Sequence, residues 1–452
     1  VTAGFTNLPS AIKNLNPQKA QEVFTVSDEK IEMPKSETKI KILWHSVAPW
    51  IASGYGKTTR EICTRLPKYG IQPFISAYYG AEPGGIPSYP VPVLPSKDGQ
   101  FGVASAAKYA KQFGTDINIL FTDWWAFDQF PTTLPNTVLY GPMDQVNYPE
   151  EILEFTKKYY KIIALCKWQQ KCLADIGINS DYIYHGVDLD VFKPMDKKAA
   201  RKKIGLTNED LFVFGTVAAN NDKEDRKSHI KSMKAMSYFL QQNPDVKNVV
   251  WLYHTIPNSP GGLPLPSIAH KVGLDKVVSF MDPSMSSTMF SETDLANLMN
   301  CFDVHLLCSK REGFGMPILE TEACGVPNIC HDFSSMTELV EGHGWLCKSL
   351  GYGLNLETSP INAETAVPDV YDIAKCIEDA YFHPDKVKRH GEESRKFALP
   401  FNWDDIVTNH WVPILTKLAT TIRAEHGARE MVGNNPKKDA AFEQLYAHAI
   451  KP

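Results

Sequence analysis

At 452 residues the chain exceeds what one hydrophobic core organises, so it should divide into two domains of about 200 residues each. Hydrophobic residues make up 43% and charged residues 22%, an ordinary globular composition that argues against a disordered or fibrous chain. A net charge of −5 weighs against nucleic acid as the main partner without excluding it, and no apolar run reaches the length of a membrane span.

The nine cysteines show no C-x-x-C pair or metal-like spacing and read as buried free thiols of a reducing compartment. With no secretory signal at Val1, the expected location is the cytoplasm, peripheral membrane contact remaining open.

Residues 1–38 are polar and poorly periodic, which predicts an N-terminal extension. Lys39 to His45 is an apolar strand; a loop bearing Gly54 and Gly56 follows, then a helix over 57–69. Gly56-Lys57-Thr58 invites a phosphate-loop reading, but that motif needs glycine five positions earlier, where Ile51 stands. A tight strand–helix turn without ligand is the alternative. Strands over 71–79, 116–121, 137–141, 161–165 and 181–185 then alternate with helices over 104–113, from 149, and over 167–176. Such alternation predicts a parallel sheet covered on both faces.

The charged run 190–210 reads as a connection carrying a short helix. A second alternation has strands over 212–217, 249–254, 277–280, 303–308 and 328–331. The fold class is therefore α/β, with two doubly wound Rossmann-like domains facing a cleft, where ligands bind beyond the carboxyl ends of the strands. Arg226 and Lys227 follow the strand 212–217 and a polar loop; they suit an anion in that cleft, against a solvated surface pair, the commoner case for two adjacent cations.

After the strand 303–308 comes Glu312-Gly313-Phe314-Gly315-Met316-Pro317-Ile318-Leu319-Glu320. Gly313 and Gly315 allow close backbone approach or a positive φ. Pro317 opens a helix that should run to about Cys324 and stop at Gly325. Glu312 then lies above the strand end and Glu320 one turn into the helix, beside free helix amides that suit a phosphate. A carboxylate has only acceptor oxygens and can hold two neighbouring hydroxyls of a sugar. The competing reading is a tight corner with two solvated glutamates.

Glu312 to Glu320 resembles the E-x7-E signature of retaining glycosyltransferases with the GT-B architecture, family 4 (glycosyl transferases group 1). The loop with Gly54 and Gly56 looks like the glycine-rich first loop of that family. Tyr184-His185-Gly186-Val187-Asp188 with Phe192 and Pro194 is similar to the Asn-Gly-Val-Asp…Phe-x-Pro run ending its first domain. Phe401-Asn402-Trp403 resembles its Phe-Ser-Trp segment, after which a helix crosses back. The resemblance covers about 39–422. It implies an extension over 1–38, an acceptor domain over 39–195 and a nucleotide-sugar domain over 196–400. A crossover helix over 401–423 and a helical appendage over 424–452 complete the expected organisation.

The resemblance further implies transfer of a sugar from a nucleoside-diphosphate sugar, a UDP- or GDP-sugar, to an acceptor hydroxyl, with no metal or other cofactor. Arg226 and Lys227 would receive the departing diphosphate, although the family pair is usually spaced apart rather than adjacent. Glu312 would hold sugar hydroxyls, Glu320 the ribose diol, and Gly313, Phe314 and Gly315 would fix the sugar. Gly54 and Gly56 would approach the phosphate, with Lys57 adding charge, and Met281 would lie near the base. Asp144, in Gly141-Pro142-Met143-Asp144, matches the Pro-x-Asp variant some relatives carry, or caps its own loop. Asp123, with Trp124 and Trp125, is the other cleft candidate. A nucleotide-sugar 2-epimerase on the same scaffold, or a non-catalytic sugar-nucleotide binder, are the alternatives; the acceptor and the oligomeric state are open.

Overall fold

The computed structural model describes residues 40–432 except 83–84, 100, 124, 126, 128–129, 281–289, 351–356 and 359–361. The expected extension over 1–38 and most of the appendage therefore lie outside the described residues.

The first sheet has seven strands: β1 (Ile40–Val47), β2 (Ile71–Tyr79), β3 (Val93–Pro95), β4 (Ile117–Leu120), β5 (Thr137–Leu139), β6 (Lys161–Ala164) and β7 (Ser180–Tyr182). Their order is β3-β2-β1-β4-β5-β6-β7, with every neighbouring pair parallel. In β1 every residue from Ile42 onward is buried, as a parallel sheet covered on both faces requires.

The second sheet has six strands: β8 (Phe212–Val217), β9 (Val249–His254), β10 (Val278–Phe280), β11 (Val304–Leu307), β12 (Asn328–His331) and β13 (Trp345–Cys347). It is also parallel, in the order β10-β9-β8-β11-β12-β13. The strand order thus reverses between β1 and β4 in one sheet and between β8 and β11 in the other. Those two switch points are where an α/β sheet opens a crevice.

Among the strands, four went unforeseen: β3, β13, and an antiparallel ribbon of β14 (Glu357–Thr358) with β15 (Glu364–Thr365). All are two or three residues long. β3 lies at the sheet edge, where Pro95 removes no needed ladder donor. The first helix is Gly54–Arg65 rather than 57–69, because Ser53 caps it and accepts from the Gly56 amide at 3.1 Å. Residues 66–69 form a separate 3-10 turn.

The chain leaves the first sheet and later returns to it at one place. The Val187 amide donates to the Phe401 carbonyl at 2.7 Å. Gly186 has no room for a side chain, since a Cβ there would stand 2.6 Å from the Trp403 ring. Trp411 then packs edge-on against Trp44 and Tyr140, with ring centroids 5.3 and 4.8 Å apart. The final helix, Val412–Val432, runs on beyond the expected crossover end at 423, and Arg423 ties it to Asp116 at 2.7 Å.

Candidate functional site

Loops from the carboxyl ends of β8, β11 and β12 converge at the second switch point. After β8 the chain turns through Asp225 and Ser228, both non-glycine residues with left-handed φ of 55° and 52°. That turn carries Arg226 and Lys227 between its two strained corners. Asp225 accepts from the amides of His229 and Ile230 at 2.7 and 3.0 Å, so it closes the exposed start of the helix His229–Gln242. The Lys310 amide, at the end of β11, donates to the Arg226 carbonyl at 2.7 Å and pins the turn beside Glu312.

Glu312 is buried between these cations. Its Oε1 accepts from the Lys227 ammonium and, at 2.5 Å, from the Ser309 hydroxyl. Its Oε2 lies 3.6 Å from the Arg226 guanidinium. Burial alone would raise the Glu312 pKa, but Lys227 and Arg226 overcome it and hold the carboxyl at about 2. Lys227 moves down instead, because burial and the neighbouring Arg226 outweigh the attraction of Glu312. Burial opposes the Arg226 charge, but Glu312, Asp144, Asp222 and Asp123 outweigh it and raise its pKa, so the corner gathers cations and carboxylates together. The hydroxyl of Ser228, next in sequence, is buried with no hydrogen-bond partner.

The loop that follows is held from β12. The Glu312 amide donates to Ser334 Oγ at 3.0 Å, and Ser335 donates to the carbonyls of Glu312 and Phe314 at 2.9 and 2.8 Å. Gly315 takes a φ of 95°, a conformation that suits glycine, and the helix Met316–Ala323 starts immediately after it. Pro317 is therefore its second residue, and Gly325, with φ 76°, follows its C-cap Cys324. Gly313 serves close approach: a Cβ there would stand 2.6 Å from Pro142 of the first domain. Phe314 is buried against His185 of the same domain, ring centroids 4.9 Å apart.

From the first domain, Asp144 joins the cluster, its Oδ1 3.6 Å from Arg311 Nε. Burial raises its pKa, Arg311 and Arg226 pull it down, and Asp123 and Glu312 push it back up. Asp123 itself accepts from the Tyr55 hydroxyl at 2.9 Å.

The remaining expected residues sit differently. Glu320 is buried, but Lys57 of the first helix donates to its Oε1 at 2.6 Å, so Lys57 is matched to a carboxylate. Gly54 and Gly56 lie in the first turn of that helix rather than in a free loop. A Cβ at Gly56 would stand 2.1 Å from the Ile51 carbonyl oxygen, so backbone packing already demands glycine there. A Cβ at Gly54 would stand 3.5 Å from the sulfur of Met316 in the second domain. Met281 and Trp124 lie outside the described residues.

Sequence reasoning missed Asp225, Ser228, Ser309, Ser334 and Ser335, the residues that shape the corner. Single serines and a loop aspartate carry no periodicity or spacing that would have marked them. Among the described residues, no group of three His, Cys, Asp or Glu side chains is placed to share a metal ion. A groove of about 1180 Å³ opens at the opposite, amino end of the second sheet. Within it Arg201 pairs with Asp303 at 2.6 Å, and Arg395 donates to the Ala323 carbonyl at 2.7 Å.

Residues 196–350 match the family model described as Glycosyl transferases group 1. Over 154 residues the chain is 31% identical to the D-inositol 3-phosphate glycosyltransferase of Mycobacterium tuberculosis (strain ATCC 25618 / H37Rv). That stretch is 33% of this chain and only 28% of the relative. Among solved structures, the fold is similar to a glycosyltransferase from Rickettsia africae ESF-5, with TM-score 0.62 and 15% identity over 84% of this chain and 99% of that one. Sucrose-phosphate synthase from Thermosynechococcus elongatus superposes with TM-score 0.63 and 16% identity, over 86% and 100%. Anabaena HepE in complex with UDP-glucose gives 0.59 and 16%, over 86% and 100%. The chain thus has the GT-B fold of these glycosyltransferases, and its residues 196–350 match the glycosyl transferases group 1 family.

Proposed function

We propose that this protein is a retaining, metal-independent glycosyltransferase of family 4, moving a hexose from a nucleoside-diphosphate sugar to an acceptor hydroxyl. The observation that carries the reading is the corner at the second switch point, where Arg226 and Lys227 converge on Glu312. Arg226 and Lys227 would meet the negative charge that grows on the diphosphate as its bond to the anomeric carbon breaks. The Ser228 hydroxyl, buried without a partner beside Lys227, supplies a donor of the kind a phosphate oxygen needs.

Glu312 is kept ionised and has lone pairs for sugar hydroxyls, while Gly313, Phe314 and Gly315 shape the floor beneath them. Asp144 faces the same corner from the first domain with its pKa raised, which suits a group that positions or deprotonates the acceptor hydroxyl. Glu320 would take the ribose diol once Lys57 gives it up. The relatives support the reading: the curated match is a glycosyltransferase, and HepE is a complex with UDP-glucose.

The test is a thermal-shift panel of UDP-, GDP- and ADP-sugars, since a ligand that binds only the folded state raises its stability. Product analysis with the stabilising donor follows. Transfer with the anomeric configuration kept supports the proposal. Isomerised donor without acceptor would instead make the protein an epimerase, and binding without any turnover a sensor.

A further inference from the structure

Resting on the transferase reading, we propose that the acceptor is an uncharged saccharide, and that Asp123 and Trp125 of the first domain hold it. The inference concerns the side of the cleft facing Glu312, formed by the ends of β1, β2, β4 and β5. Its chemistry is carboxylates and aromatic rings. Asp123 is exposed just beyond β4 and is steadied by the Tyr55 hydroxyl at 2.9 Å. Asp144 lies just beyond β5, and Asp123 and Glu312 both push its pKa up, so the three acids share one field.

Large rings stand open to solvent at neighbouring strand ends. Tyr79, closing β2, is 61% exposed, and Trp125, after β4, is 43% exposed. An exposed ring beside a carboxylate is the pairing that grips a sugar, its C–H face on the ring and its hydroxyls on the acid.

The sequence repeats this bias. Residues 42–56, 69–96 and 112–156, which include all four of those strand ends, contain neither lysine nor arginine. The cations that reach the cleft come from other segments and already face carboxylates. Lys57 is on Glu320, Arg311 faces Asp144, and Arg226 and Lys227 share Glu312. A phosphate on the acceptor would bring almost two negative charges against Asp123 and Asp144, and like charges brought together in an interface cost several kcal/mol. This sets the chain apart from its curated match, named for a phosphorylated inositol acceptor.

The experiment uses the full chain and whichever of UDP-, GDP- or ADP-glucose raises its melting temperature. Nucleoside diphosphate release is followed with matched acceptors: glucose and maltose against glucose 6-phosphate, and inositol against inositol 3-phosphate. Unphosphorylated saccharides should be faster by at least about tenfold. Trp125→Ala should raise the acceptor KM about fivefold while leaving the donor Kd unchanged. A preference for the phosphorylated members overturns the inference. So does transfer to none of the saccharides while the donor still binds and is slowly hydrolysed. Absence of donor binding is a separate failure, because it removes the transferase reading itself.

Discussion

Lys57 and Glu320 belong to different domains, yet Nζ of one lies 2.6 Å from Oε1 of the other. Both side chains are about nine-tenths buried, and Glu292 shares the lysine at 3.4 Å. Removing one partner leaves the other as a buried charge with weaker compensation. Lys57→Met or Glu320→Gln alone should therefore cost about 3 kcal/mol, and the double variant clearly less than the sum. Chemical denaturation of the four proteins in the cycle measures this. Strictly additive losses would show that the contact carries no coupling between domains.

Arg226 and Lys227 test the leaving-group assignment. Arg226→Ala or Lys227→Ala should lower kcat by about a hundredfold or more, with a smaller loss in donor affinity. Steady-state kinetics beside calorimetric donor binding separates the two effects. An unchanged kcat in both variants would move the diphosphate away from this corner.

Acid should unfold the protein early. Burial lowers the pKa of His45, His229, His305 and His331 to about 4, and of His185 to about 3. All five are buried. The unfolded chain takes up these protons near pH 6.5 while the folded chain resists until about 4, so stability present above 6.5 is lost as the pH falls through that window. The denaturation midpoint, measured from pH 7 to 4.5, should fall steadily. Glu312, held at about 2, adds a loss only below the ordinary carboxylate range. A midpoint flat over that range would mean the histidines are already charged or solvated in the native state.

Two glycines should fail in different ways. At Gly56 an added Cβ meets the Ile51 carbonyl at 2.1 Å, inside one domain. Gly56→Ala should therefore cost about 2 kcal/mol of stability. At Gly313 the obstacle is Pro142 across the cleft, 2.6 Å away. Gly313→Ala should leave thermal stability less affected and mainly lower turnover, by holding the domains apart. Melting curves beside kcat would show the difference, and equal destabilisation by both would contradict it.

Much of this was legible in the sequence because the pattern was long or chemically loud. The apolar strands of both sheets and the Glu312–Glu320 corner, with its glycines and proline, announced themselves. The partners of those glutamates were hidden, because ion pairs between residues 263 apart, such as Lys57 and Glu320, leave no trace in local spacing. The first helix starts earlier than its sequence suggests because Gly54 and Gly56 read as loop formers, whereas the Ser53 cap sets the start. The serines around Glu312 were silent for a related reason: their roles come from backbone corners such as Ser228 and Ser334, which only tertiary packing imposes.

The hydrogen bond from Val187 to Phe401 joins the outgoing and returning strands of the chain where they pass between domains. Two covalent crossings laid side by side make a spine, and any opening of the halves is expected to turn about it rather than slide. Glu312 and Asp144, on facing pages, would then part and meet along one arc.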